Sequence, residues 1–309
     1  MKILLLGANG QVGFELMRTC APLGEVVCAT RSGTLAGGAA CLAVDLSQPG
    51  QLRAALEATN PEIVINAAAY TAVDRAEEEP ELAHLDNAAA LVHVGAWAVG
   101  QRALVVHYST DYVFDGEGQR PYREDDATAP LGAYGRSKLA GEMALRDSNC
   151  DHVILRTAWV YAARGHNFLR TMLKFGRERD QLRIVDDQRG APTSARLIAE
   201  ATALALTRMY ARRAADRTKF HGTYHLSADG ECSWFEFAQA IFTRARASGL
   251  LERTPELVPI TTAEYPTKAK RPAYSALDTA KFRSTFGLHL PPWEQGLDAV
   301  IGEVSEQGR

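Results

Sequence analysis

The feature that most restricts what this chain can fold into is a glycine-rich turn, Gly7-Ala8-Asn9-Gly10-Gln11-Val12-Gly13. It directly follows an apolar run at 3–6 and opens an amphipathic stretch at 11–21. A bound phosphate needs backbone N–H groups aimed at it and a helix N-terminus behind it. Glycines supply the tight turn, the close approach and the helix–strand packing that such a loop requires. A plain strand-to-helix turn is the alternative reading. The position of the loop, on a strand and before a helix, favours a dinucleotide.

The first half of the chain continues in the same rhythm. Short apolar runs stand at 25–29, 41–44, 63–65, 104–107 and 153–155, with helical patterns at 51–59, 82–99 and 134–146. Buried parallel strands read as short, nearly continuous apolar runs. Their alternation with helices predicts an α/β fold, a Rossmann-type doubly wound parallel sheet. The pattern loosens after Thr157. Helices are expected at 167–178, 193–208 and 234–247, a strand at 221–226, and mostly loop at 256–275. With no linker between the halves, we expect an NADP-binding domain at 1–156 and a smaller C-terminal substrate lobe at 157–309, some of whose elements return to the first. A cleft between them is the expected site.

Bulk properties exclude several classes. A net charge of −3 over 309 residues argues against nucleic acid as a partner. The basic stretch at 208–219 reads as a solvated helix end. Five cysteines, an odd number without a CxxC pair, read as reduced core thiols. No apolar run of about 18 residues is present, so no membrane span is expected. The apolar run at 3–6 is too short for a signal peptide. The expected location is the cytoplasm.

The end of the second strand bears on the cofactor. An NAD-preferring site carries an acid there for the ribose 2′-hydroxyl. Here Thr30 takes that place, followed by Arg31 and Ser32. A guanidinium can pair with a 2′-phosphate, so NADPH is expected, with NADH possible but weaker. Asp45, after the third run, reads either as a partner of the adenine amino group or as a cap for the helix near Ser47. Small residues at 66–69 would let a flat cofactor lie against the backbone.

Tyr134-Gly135-Arg136-Ser137-Lys138 is a YxxxK motif at a helix start, which places Tyr134 and Lys138 on one face. A tyrosine of ordinary pKa near 10 is a poor acid–base group, and a neighbouring ammonium is expected to lower it. Ser109 and Thr110 stand at the carboxyl end of the preceding strand, where sites form in such sheets. A hydroxyl there can hold a substrate carbonyl oxygen. An ST-turn ending the strand is the alternative.

Together these motifs resemble the extended short-chain dehydrogenase/reductase family. The segments at 66–77, 107–116, 134–142, 156–161, 186–193 and 271–278 are similar to its sugar-nucleotide reductases in particular. The resemblance implies Thr110, Tyr134 and Lys138 as the catalytic triad. It implies Gly7, Gly10, Gln11, Val12, Asp45, Ala68, Ala69 and Lys138 on the cofactor, with Asn9, Arg31, Leu46, Ala67 and Tyr134 beside them. It implies Thr71, Tyr112 and Trp159, with Thr110 and Tyr134, near the sugar nucleotide, and Asn87 near the active-site base. The implied reaction is NADPH-dependent reduction of the C4 keto group of a dTDP-4-keto-6-deoxy sugar, dTDP-6-deoxy-L-lyxo-4-hexulose, to dTDP-L-rhamnose. Rival readings are a different 4-reductase or an epimerase, or a non-catalytic relative such as a regulatory subunit of methionine adenosyltransferase. The chain departs from its relatives at two points. Thr30 replaces an Asp found in those that also use NADH, and Arg196 stands where some relatives place a Glu that binds magnesium. A guanidinium is no metal ligand, so no metal is expected. The expected assembly is a monomer or a homodimer.

Overall fold

The computed structural model describes residues 1–307; positions 308 and 309 of the expected second lobe lie outside them. The first half runs β1 (Lys2–Leu6), α1 (Gln11–Cys20), β2 (Glu25–Thr30), β3 (Leu42–Ala43), α2 (Pro49–Thr59) and β4 (Ile63–Asn66). It continues with α3 (Val73–Ala76), α4 (Pro80–His84), α5 (Ala90–Gln101), β5 (Leu104–Thr110), α6 (Ala133–Ser148) and β6 (His152–Thr157). A π-turn at Leu85–Ala89 joins α4 to α5, so the expected single helix is bulged there. After β6 come β7 (Val160–Tyr161), α7 (Phe168–Glu178), β8 (Gln181–Val185), β9 (Arg189–Gly190), β10 (Thr193–Ser194) and α8 (Ala195–Tyr210). The rest comprises β11 (Gly222–His225), β12 (Cys232–Ser233), α9 (Trp234–Ala247), β13 (Glu256–Ile260), α10 (Ala280–Phe286) and α11 (Trp293–Gln307).

Seven strands form one parallel sheet in the order β11-β6-β5-β4-β1-β2-β3. β1 and β5 are buried on both faces, as central parallel strands must be. Strand order reverses between β1 and β4, which opens a crevice at the carboxyl ends of those two strands. One face of the sheet packs on α1, α8 and α10 through Leu16, Ile198, Leu206 and Phe282. The other packs on α2, α5 and α6 through Leu56, Leu91, Val94 and Leu145. A second core, around Leu169, Phe237, Ile241 and Leu297, belongs to α7, α9 and α11.

Helix starts follow their caps. Asn167 accepts from Arg170 N at 3.0 Å, and Ser194 from Leu197 N at 3.2 Å. Ser233 and Glu236 form a reciprocal capping box at the start of α9. One expectation fails. The segment at 256–275 is not mostly loop at its start, because β13 pairs in parallel with β8. Leu182 and Ile184 of β8 point into the second core and are buried, while Gln181 and Arg183 are exposed. Pro259 is tolerated because this ribbon has only two strands and leaves an edge open.

Candidate active site

The glycine turn sits at the crevice. Gly7 has φ +82°, a conformation that suits glycine, and a Cβ there would lie 2.6 Å from Ala68 N. A Cβ at Gly13 would lie 2.1 Å from Gly7 O, so α1 could not start where it does. The result is a backbone cradle that side chains would fill, which is what a dinucleotide's phosphates require. Ala67 N donates to Leu6 O and Ala68 N to Asn66 Oδ1, which lines the small residues 67–69 along the same rim. Asn9 points elsewhere. Its side chain bonds Thr34 O at 2.8 Å and Ala36 N at 2.9 Å, tying the turn to the loop after β2. Gln11 Oε1 accepts from Asn167 Nδ2 at 2.8 Å and so joins the turn to the start of α7.

At the end of β2, Thr30 is buried and bonds within its own loop, to Ser32 Oγ and Thr34 O. Arg31 is exposed and makes an ion pair with Asp86 at 3.2 Å and a longer one with Asp45 at 3.9 Å. Asp45 also serves its local turn, since Oδ1 accepts from Ser47 N and Ser47 Oγ. Leu46 beside it is buried. Asp45 therefore holds a turn ahead of α2 rather than capping it, since the N-cap is Gln48 with no side-chain cap, and its Oδ2 is turned to Arg31.

The reaction-centre residues meet where β5 ends. Glu77 Oε1 accepts from Ala133 N at 2.7 Å and caps α6, the helix that carries Tyr134 and Lys138. Thr110 is buried at the last position of β5, and its hydroxyl lies against Tyr134. Tyr112 packs edge-on against the Tyr134 ring with centroids 5.7 Å apart. The expected lowering of Tyr134 by Lys138 is not found. Burial pushes the Tyr134 hydroxyl up to about 12, which the Thr110 hydroxyl partly offsets and the Asp111 carboxyl reinforces. Lys138 faces the other way, donating to Tyr108 O at 2.6 Å and lying 3.3 Å from His107 Nε2. Burial lowers Lys138 to about 7. Burial, with Lys138 close by, also holds His107 well below its ordinary value, so its ring is neutral.

Other expected residues are scattered more widely. Asn87 bonds Tyr70 N, Tyr70 O and Ser137 Oγ, and Ser137 Oγ in turn donates to Tyr134 O, so Asn87 braces the turn of α6 that carries Tyr134 and Lys138. Thr71 is exposed at the rim. Trp159 has φ +46° and stacks on Trp234 with rings 3.5 Å apart and 3° from parallel. Nearby, Phe168, Phe175, Trp234, Tyr265, Arg183 and Arg271 help line a cavity of 610 Å³ between α7, β8 and the segment after β13. Arg196 pairs with Glu200 on one helix face. Among the described residues, no cluster of three or more His, Cys, Asp or Glu side chains is arranged for a metal. Sequence reasoning missed Asp86, Asp111 and Trp234. Only Trp234 carried a local signal, an aromatic directly after a Ser N-cap.

A glycine cradle on a parallel sheet, with the Thr110 and Tyr134 hydroxyls paired at the end of a strand two places away, defines the class as NAD(P)H-dependent oxidoreductases. The chain belongs to the RmlD substrate binding domain family, which it matches over residues 1–306. It is 44% identical to a dTDP-4-dehydrorhamnose reductase of Salmonella typhimurium, covering 98% of each chain. A Burkholderia thailandensis reductase of the same name is also 44% identical, over 99% of this chain and 100% of its own. Among solved structures, a Bacillus anthracis dTDP-4-dehydrorhamnose reductase in complex with NADP superposes with TM-score 0.84 at 32% identity, over 98% of this chain and 99% of that one. A Thermus thermophilus UDP-glucose 4-epimerase, 19% identical over the full length of both chains with TM-score 0.79, shares the fold.

Proposed function

We propose that this chain reduces the C4 keto group of dTDP-6-deoxy-L-lyxo-4-hexulose to dTDP-L-rhamnose, with NADPH preferred and NADH a weaker alternative. The observation that carries the reading is the Thr110 hydroxyl against Tyr134 at the end of β5, two strands from a glycine cradle that no side chain could occupy, with Lys138 one turn along the same helix. The names of full-length relatives supply the sugar, and the NADP in a structural neighbour supports the cofactor.

Bound NADPH supplies a hydride. Gly7, Gly10, Gln11 and Val12 would hold its phosphates, Arg31 the 2′-phosphate, Asp45 and Leu46 the adenine, Ala67–Ala69 the backbone rim, and Lys138 the nicotinamide ribose. Tyr134 is the proton donor to the forming alkoxide at C4. A hydroxyl pushed up to about 12 stays protonated at neutral pH, which is the form a donor needs. Thr110 binds the same oxygen, so charge is neutralised as it develops. The cavity beside Trp234 offers aromatic rings for a base and Arg183 and Arg271 for a diphosphate. Tyr112, Trp159 and Thr71 complete the sugar side.

Residues 1–156 would carry the cofactor and 157–309 most of the substrate contacts. A cytoplasmic location fits five free cysteines. We assign a monomer or a homodimer without a bridging metal. The test is NADPH oxidation with the 4-keto sugar, with the product identified by NMR. Absence of turnover would overturn the reading, and a product epimeric at C4 would assign a different 4-reductase.

A further inference from the structure

One buried acid beside the reaction centre has no part in the mechanism above. Asp111 follows Thr110 directly and is 2% exposed. Thr110 Oγ1 donates to Asp111 Oδ1 at 2.9 Å, while Asp111 Oδ2 has no hydrogen-bond partner. The Ser275 hydroxyl faces the carboxyl from the 271–278 segment, Tyr112 from its own turn and Tyr134 from α6. No basic side chain is paired with it among the described residues.

A threonine hydroxyl has one hydrogen and two lone pairs. One lone pair of Thr110 takes Tyr112 N–H at 3.2 Å, and its hydrogen goes to Asp111. While Asp111 is ionised, Thr110 therefore presents only its one remaining lone pair to Tyr134 and the cleft. A carbonyl oxygen is itself an acceptor and gains nothing from it. For Thr110 to bond the keto oxygen, the direction of its hydroxyl has to reverse.

We propose that Asp111 is a positioning residue that sets this direction: in the reducing state its carboxyl carries a proton, donates to Thr110 Oγ1, and turns the hydrogen of Thr110 toward the keto oxygen. The inference rests on the keto-reduction read above. It moves no electrons and needs only that Asp111 take a proton from solvent before the sugar binds. Burial without a counter-ion supports the neutral acid, pushing the carboxyl up to about 6. A bound anionic dinucleotide pushes it further the same way.

The test is kcat/KM for the keto sugar at saturating NADPH, from about pH 5.5 to about pH 8.5. In the wild type it is expected to fall above about pH 6, toward about tenfold per pH unit. In Asp111→Asn the amide N–H donates to Thr110 at every pH, so this limb is expected to vanish. Tyr134, up at about 12, does not produce it. Burial lowers Lys138 to about 7, so a limb near pH 7 that is common to wild type and variants belongs to Lys138. Survival in Asp111→Asn of the limb that starts near pH 6, or its absence from the wild type, overturns the inference. Thr110→Val is the second variant. Its residual rate is expected to lack the limb that starts near pH 6, and that limb unchanged there also overturns the inference. A wild type without turnover at any pH overturns the functional reading itself.

Discussion

Replacing Arg31 by Ala asks how much of the cofactor preference one guanidinium carries. A charge-assisted bond to a phosphate is worth about 1.5–3 kcal/mol when the partner was otherwise solvated. Arg31 starts from a different state. Its Nη2 already lies 3.2 Å from Asp86 and its Nε 3.9 Å from Asp45, with the side chain 71% exposed. A 2′-phosphate exchanges one anionic partner for another, in a setting that water screens. The expected loss for Arg31→Ala is therefore about 1–2 kcal/mol, roughly 5- to 30-fold in kcat/KM for NADPH. The NADH value should hardly move. Because the contact is exposed, the loss should shrink at higher ionic strength. Asp86→Asn removes the competing carboxylate and should raise NADPH efficiency a few-fold. Steady-state kinetics with both cofactors, at low and high salt, reads all of this. An Arg31→Ala enzyme with an unchanged NADPH-to-NADH ratio would refute the reasoning.

Three further outcomes are expected. Tyr134→Phe should lower kcat by about 10²–10⁴ with little change in NADPH affinity by fluorescence titration, and near-normal turnover would remove Tyr134 as the donor. Glu142→Gln should destabilise the fold by about 3–5 kcal/mol in urea unfolding, because it strands Arg156, which is 1% exposed and bonded to both carboxylate oxygens of Glu142; a loss below about 1 kcal/mol would contradict this. With Arg196 committed to Glu200, activity and sedimentation mass should be indifferent to EDTA, and a chelator-sensitive dimer would show that a metal site exists.

What the sequence revealed was whatever depends on neighbours along the chain. The glycine turn, the YxxxK pair and the strand–helix rhythm each repeat within one or two turns of backbone, so their spacing is their geometry. Contacts made across long separations left no such trace. The pairing of β8 with β13 joins segments of which one carries a proline, and propensity alone cannot say that an edge will be shared. Arg31 reads as a free cation until the π-turn brings Asp86 to it. Lys138 reads as a neighbour of Tyr134 because they share a helix face, yet the carbonyl of Tyr108 draws its ammonium toward β5. Asp111 hid in plain view, since an acid after Ser-Thr reads as an ordinary turn until its burial is known.

The edge strand β11 has a consequence for how the molecule comes into being. The parallel sheet is completed by residues 222–225, and its α1 face is covered by α8 and α10, all of which follow residue 157. A nascent chain that has emerged only through β6 holds six strands, with an open apolar border at Val153–Leu155 and with Leu16 and Cys20 of α1 lacking part of their cover. Such a border is a template for unwanted pairing. A chain cut after residue 156 should therefore aggregate rather than bind NADPH. The sheet edge and the cover of α1 are completed only by segments as late as residue 286, so the first half is expected not to stand as a separate piece.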